Sequence, residues 1–421
     1  NTGIFQITII IAGGGIAGMA MALTCHQLGL KAQVFEAVSE IKPLGVGINL
    51  QPNAVRELID LGLEGLLADI GIQAEEWALF TKSGELVWAE PRGLNAGYHW
   101  PQYSVHRGYL LMGLLAAVKN RLGSDAVVTD ARLTGYKNIE NGVAAEFTSL
   151  DGSTHWVNGD LLIGADGIHS QVRKQMHPNQ GQPNWGGAVM WRGISEGLPT
   201  RTQNSFVLMG SMEQRFVCYP ISKPDPKTGL SRINWIAELT LPTHESATQS
   251  DWNSAAEIED FISPFNHWQF DWLDVPALIK SADAVYEYPM VDRDPVDHWV
   301  EGPVVLIGDA AHAMYPVGSN GASQGIVDAR VLGAKLKALG LTTDALLAYQ
   351  SSVLPAVNEL VLRNRGAGPI GILGVIETRG PFQSIDEVIS PDEIRNFMSA
   401  YKEAAGFALS TLNTSPKTIE D

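Results

Sequence analysis

The feature that most restricts the fold is a glycine string, Gly13-Gly14-Gly15-Ile16-Ala17-Gly18, set between an apolar strand and a helix of small residues. The strand, Gln6 to Ala12, carries the unbroken isoleucine run typical of parallel strands covered on both faces. The helical segment ends near Gly29, and a second strand, Lys31 to Phe35, ends at Glu36. In this setting G-x-G-x-x-G reads as a dinucleotide fingerprint. Gly13 permits a tight turn, and Gly15 lets a pyrophosphate approach the backbone. Gly18 lets the helix pack on the sheet while the first N–H groups, those of Ile16 and Ala17, face the anion. Glu36 is placed to accept hydrogen bonds from an adenosine ribose. A glycine-rich loop in an unrelated α/β protein is the bland alternative; strand, helix and acid in register weigh against it. The string itself leaves NAD(P) and FAD both open.

No Asp, Glu, Lys or Arg precedes Lys31, so Ile7 to Leu23 imitates a signal-peptide core or a membrane helix. The lack of basic residues before it and its four glycines oppose that reading. A chain of 421 residues with 45% apolar and 18% charged residues is expected to fold into about two to three domains around a sizeable core. The net charge of -17 disfavours nucleic acid and an anionic membrane as partners, because both want a basic patch. Two cysteines, Cys25 and Cys218, make neither a disulfide framework nor a cysteine-rich metal site, and they fit a reducing, cytoplasmic setting.

Along the chain, Asn53 to Leu61 and Arg107 to Leu122 read as helices, and residues 132–158 as a small antiparallel meander. Leu161 to Ile163 returns to the parallel sheet. Alternating strands follow at Gly187 to Trp191, Ser205 to Met209, Arg215 to Ile221 and Arg232 to Leu239. Then come a helical stretch, Trp252 to Ile262, and strands Ala284 to Tyr288 and Val304 to Ile307. Helices Ser323 to Leu339 and Thr343 to Asn364 and a polar helix, Pro391 to Phe407, end the chain.

Two later motifs decide the nucleotide. One is Leu161 to Ser170, containing Gly164-Ala165-Asp166-Gly167, with Arg173. The other is Val305 to His312, containing Gly308-Asp309, followed by Pro316 and Gly318-Ser319-Asn320-Gly321-Ala322. Each delivers a Gly/Asp turn to the C-terminal edge of a strand, where open α/β sheets bind ligands. An aspartate there can accept bonds from polyol hydroxyls, and the Gly318 to Ala322 loop opens a helix whose positive end stabilises charge on a reduced flavin. Three such motifs in this order point to FAD.

With these motifs the chain resembles the single-component FAD-dependent aromatic hydroxylases, the group A flavoprotein monooxygenases related to para-hydroxybenzoate and salicylate hydroxylase. The likeness covers about residues 5–365 and leans toward the phenazine-pathway branch. It rests also on Ser39 to Ile48, Pro101 to Arg107, Met190 to Gly193, Tyr288 to Pro295 and Met314 to Gln324. The fold implied is α/β: a Rossmann-like FAD-binding domain with an inserted β-rich substrate domain and C-terminal helices. The FAD-binding domain is expected in three parts, residues 1–75, 105–183 and 286–365. Residues 76–104 make an excursion to the substrate domain, 184–285 form it, and 366–421 are a helical tail that departs from the phenazine pattern.

The resemblance implies that Gly13, Gly15, Ile16, Ala17, Gly18 and Glu36 hold the ADP part of a tightly but non-covalently bound FAD. It implies contacts from Gly47 and from Arg107 near the ribityl or pyrophosphate. Asp166-Gly167 with Arg173 would serve FAD and docking of NADH or NADPH. Gly308-Asp309 would hold the ribityl chain, and Pro316, Gly318, Asn320, Gly321 and Ala322 would border the isoalloxazine. The implied reaction uses NAD(P)H and O2, by way of a flavin C4a-hydroperoxide, to hydroxylate an acidic aromatic or N-heteroaromatic small molecule, with or without loss of CO2. Epoxidation, Baeyer–Villiger insertion and a non-oxygenating oxidase or dehydrogenase remain alternatives. The protein is expected as a monomer or homodimer.

Substrate candidates come from the β-rich region. Arg215, Val217 and Tyr219 share one strand face by the two-residue period. Tyr219 is expected to line the pocket and Arg215 to steer a carboxylate or phenolate; an exposed arginine and a packed tyrosine are the competing reading. Trp191, Arg192 and Met209 are further candidates. The histidines, including His169, His298 and His312, form no ligand-spaced cluster in sequence, so no metal site is expected.

Overall fold

The computed structural model describes residues 9–242 and 254–420. Six strands make the first sheet in the order Val300–Glu301, Val304–Leu306, Leu161–Gly164, Ile9–Ala12, Ala32–Phe35 and Val127–Val128. All neighbours run parallel except the edge strand Val300–Glu301. Ile9, Ile10 and Ile11 are fully buried, as the isoleucine run requires; Gln6 to Thr8 lie outside the described residues. Helix Ile16–Gln27 crosses the sheet and packs against helices Arg107–Leu122 and Gly321–Leu339. Its small side chains allow close approach: a methyl on Gly333 would lie 2.3 Å from Thr24 Cγ2.

Eight strands make the second sheet: Ser254–Ala255, Val285–Asp292, Asn184–Gly197, Ser231–Thr240, Gln214–Pro220, Ser205–Gly210, Glu76–Thr81 and Leu86–Pro91, in spatial order. The pairing of Glu76–Thr81 with Ser205–Gly210 is parallel, and it brings the early segment into this sheet. One face carries Val189, Trp191, Val207, Met209, Phe216 and Trp235 against Phe261, Phe265 and Trp268. The opposite face carries Leu79, Phe206, Leu208, Val217 and Tyr219 against Ile370, Leu373, Ile394 and Met398 of the tail. The tail is thus a structural lid over the sheet. Arg132–Ile139, Gly142–Thr148 and Thr154–Gly159 form the meander.

The helical reading of Trp252 to Ile262 is corrected. Trp252 and Asn253 are outside the described residues, Ser254–Ala255 pairs with Glu287 and Tyr286 as an edge strand, and Ile258–Asp260 is a single 3-10 turn. The backbone of a free sheet edge satisfies this segment before a helix can nucleate. Helix Thr343–Arg365 is long and apolar enough to cross a bilayer by length and composition. It carries Pro355 and buries Leu346, Tyr349, Val353 and Val357 in the core beside helix Gly321–Leu339.

Candidate active site

The glycine string forms the first wall of the site. Gly13 has φ +108°, and a Cβ there would meet Ala165 O at 2.2 Å; one on Gly18 would meet Gly13 O at 2.0 Å. Gly15 differs, because a Cβ there would meet nothing within 4 Å. Helix Ile16–Gln27 has no side-chain cap, so its first N–H groups open onto that space. Glu36 Oε2 accepts from Gly14 N at 2.7 Å and Oε1 from Val38 N at 3.0 Å. A carboxylate has about four lone-pair sites, so about two acceptor sites remain for ribose hydroxyls. These features fit the ADP half of FAD: open space at Gly15, uncapped donors and a half-used acid.

The two acidic turns lie beside the string, and their side chains divide the work unequally. Asp166 accepts from Ser170 Oγ at 2.5 Å, Gln171 N at 2.8 Å and Val172 N at 3.3 Å, capping helix Gln171–Met176. Burial raises its carboxyl above the ordinary carboxylate range despite those bonds. Gly167, not the Asp166 carboxylate, lines the cavity. Arg173 is buried and donates to the carbonyls of Ala310, Ala311 and Asp294, and to Gln180 Oε1. It braces the two turns from within. Asp309 is exposed at the cavity margin, and its Oδ1 lies near Gly321 at the start of helix Gly321–Leu339. Beneath it, Asp328 accepts from Gly308 N at 2.9 Å and pairs with His312 Nε2 at 2.5 Å. His312, in the same short helix as Asp309, is thus a buried structural residue held by Asp328.

A cavity of about 340 Å³ runs from the glycine string to the eight-stranded sheet. Gly15, Ile16, Ala17, Arg107, Gly308 and Asp309 line one end. Pro316, Val317, Ser319, Gly321 and Ala322 line the middle, and Met190, Arg192, Leu208, Val217, Tyr219 and Ile236 the far end. Tyr219 stacks on Phe206 at 4.9 Å, and its hydroxyl sits among Asn49, Arg192 and Asn234. Burial pushes that phenol up to about 12. Arg192 donates to Gly47 O at 2.7 Å, lies 5.6 Å from the Tyr288 ring centre, and leaves its buried Nε without a partner. Gly47 itself does not line the cavity: its N–H donates to Asn234 Oδ1 at 2.7 Å, and a Cβ would overlap Asn234.

Three substrate candidates stand elsewhere. Arg215 is buried, and its guanidinium pairs with Glu238 directly across the strand ladder and donates to Met212 O at 3.1 Å. Its guanidinium is paired with Glu238, and Glu238 is the member of the pair that lines the cavity. Trp191 and Met209 sit one residue out of phase with the cavity face. Trp191 stacks on Phe261 at 4.8 Å and donates to Glu287 at 3.0 Å, and Met209 is fully buried in the same layer.

No local pattern gives the tail a role, yet it reaches the loop beside the cavity. Tyr401 Oη accepts from Asn320 Nδ2 at 2.5 Å and donates to Asn364 Oδ1 at 3.0 Å. A Cβ on Gly318 would lie 1.6 Å from that oxygen, so Gly318 and Asn320 serve the tail contact. Asn49, Glu238 and Ile370 are cavity residues that no local pattern marks. Among the described residues one group, His177, Asp297 and His298, brings possible metal ligands within 4.8 Å of one another. Sequence distance hid His177 from the other two; none of the three lines the cavity.

A strand–turn–helix cradle and two acidic turns meeting an apolar sheet across one cavity define a flavin-binding oxidoreductase. Residues 6–364 match the family described as FAD binding domain. The chain is 40% identical over 364 residues to the phenazine 1,6-dicarboxylic acid hydroxylase PhzS of Lysobacter antibioticus, covering 86% of this chain and 89% of the relative. It is 30% identical over 369 residues to a salicylate hydroxylase of Pseudomonas putida, covering 82% and 81%. In fold it is similar to Klebsiella pneumoniae HpxO complexed with FAD and uric acid, with a TM-score of 0.74 and 24% identity over 97% and 99% of the two chains. The chain belongs to the FAD-binding-domain family and is an FAD-dependent monooxygenase.

Proposed function

We propose that the protein hydroxylates an acidic aromatic or N-heteroaromatic small molecule, taking electrons from NADH or NADPH and oxygen from O2. FAD, when bound, supplies electron transfer and O2 activation; the chain supplies position, dryness and charge. Gly15 and the N-terminus of helix Ile16–Gln27 hold the pyrophosphate, Glu36 the ribose, Arg107 and Asp309 the central polyol region. Pro316, Gly321 and Ala322 border the ring, with the positive end of helix Gly321–Leu339 beside it. Met190, Leu208, Val217 and Ile236 exclude water from the substrate ring. Tyr219, neutral at ordinary pH, donates a hydrogen bond, and Arg192, which lines the cavity, faces a phenolate or other electron-rich edge of the ring.

The observation that carries this reading is the apolar sheet face set across one cavity from the flavin-ring loop. Isotope-labelled O2, NAD(P)H and a panel of phenazine and hydroxybenzoic acids test it. Label in a ring hydroxyl is the expected result. Peroxide as the sole oxygen product with every compound makes the protein an oxidase.

A further inference from the structure

Beside the main cavity lies a second, much smaller chamber of about 30 Å³. The two share Asn49, Phe206, Val317 and Ser319 as lining residues, so they adjoin. Distant segments close the chamber, among them Trp77, Arg92 and Gln102 from the early excursion, Gly318 and Ser319 from the loop before helix Gly321–Leu339, and Met398, Tyr401 and Lys402 from the tail.

Its polar lining is unfinished. Arg92 Nε, Asn49 Nδ2, Gln51 Oε1 and Gln102 Oε1 have no hydrogen-bond partner, although these residues are only 7%, 2%, 4% and 3% exposed. Buried polar groups are normally paired; the two orphan donors, Arg92 Nε and Asn49 Nδ2, are the ones an anion can meet, while the two amide oxygens are acceptors and need a donor such as water. The charge is also unbalanced. Glu90 Oε1 is shared by Arg92 Nη2 at 2.8 Å and Lys402 Nζ at 2.9 Å, two cations on one carboxylate. Burial and the neighbouring Arg92 lower the Lys402 ammonium, against the pull of Glu90. Water would complete the hydrogen bonds but leave the excess positive charge, which is costly among Trp77, Phe206 and Met398. The chamber is too small for a ring and suits a carboxylate group.

Resting on the proposed reaction, we propose that this chamber receives a carboxylate of the substrate, held by Arg92, Lys402 and the Asn49 amide, while the ring stays in the main cavity. Arg92, Lys402 and Asn49 then determine specificity by fixing which ring edge faces the flavin loop.

The test is binding to the FAD-loaded protein, read as perturbation of the flavin spectrum with no turnover. Phenazine-1-carboxylic acid and its neutral carboxamide are compared in wild type and in Lys402→Met, which leaves Arg92 and Glu90 as a neutral pair. The acid is expected to bind wild type at least tenfold more tightly than the amide. In Lys402→Met the preference should shrink at least tenfold, with amide affinity within about threefold of wild type, and Lys402→Arg should restore it. An unchanged acid-to-amide ratio in a Lys402→Met protein that keeps its flavin overturns the proposal. If that variant does not fold, equal binding of acid and amide by wild type overturns it without any substitution. Peroxide without oxygenated product refutes the reaction and leaves this binding comparison standing, so the two failures are separable.

Discussion

The two walls of the cavity are built by opposite means. The nucleotide wall is made of absent side chains: Gly13, Gly15 and Gly18 leave room within a six-residue stretch, and the uncapped backbone N–H groups of the helix behind them stay open. The opposite wall is made of side chains brought together from far apart, with Arg192, Tyr219 and Asn49 on three strands. A local wall tolerates little substitution but is written in one motif. An assembled wall tolerates change at many positions, which lets one fold serve different substrates while the cofactor site stays the same.

The glycines give the sharpest test of this contrast. Gly13→Val forces a branched side chain into a positive φ and against Ala165 O; we expect loss of soluble, yellow protein. A Cβ at Gly15 has no protein atom within 4 Å, so Gly15→Val should fold with a thermal midpoint near that of the wild-type apoprotein. Its FAD Kd should rise at least tenfold, about 1.4 kcal/mol or more. Equal FAD affinity in Gly15→Val and wild type would falsify the assignment of that open space to the pyrophosphate.

On the assembled wall the largest effect should come from the Arg215–Glu238 pair. Arg215→Met leaves Glu238 charged and unpaired at the cavity, and breaking a buried pair costs about 3–5 kcal/mol, less here because the cavity admits water. The double variant Arg215→Met/Glu238→Met should recover most of that loss in a denaturant titration. Weaker acid binding in Arg215→Met that persists in the double variant would give the steering role to Arg215. The tail contact comes next. Gly318→Ala pushes against the Tyr401 hydroxyl, and overpacking of this kind costs about 1–3 kcal/mol. Tyr401→Phe removes that oxygen, so the double variant should be more stable than the sum of the two singles. Strict additivity would show that the tail does not press on the flavin loop.

What was legible follows the same division. Glu36, helix Arg107–Leu122 and both Gly/Asp turns lie where their local patterns put them, because strand-to-helix turns are set by residues next to one another. Tyr219 reaches the cavity as the two-residue period requires, but the same period could not say that Arg215 faces Glu238. That depends on the register of Gln214–Pro220 against Ser231–Thr240, settled only when the sheet forms. Trp191 and Met209 fell on the wrong face for a related reason: both sheet faces are buried, so polarity does not distinguish them. The tail was unreadable because its partners, Gly318, Asn320 and Glu90, are dozens to hundreds of residues away.

The smallest predicted effect lies under the nucleotide wall, at the buried His312–Asp328 pair. Burial alone lowers the imidazole, but the carboxylate 2.5 Å away outweighs it and leaves His312 raised above its ordinary value of 6.5. A histidine raised on folding stabilises the fold fully below its unfolded pKa and loses that contribution as pH climbs through the folded one. Stability should therefore decline as pH rises above about 6.5. His312→Gln should be less stable at about pH 6 and show a flatter profile toward about pH 9, with FAD still bound. Thermal midpoints of both proteins across that range decide it. Parallel curves would mean that His312 stays neutral and that Asp328 serves only the Gly308 turn.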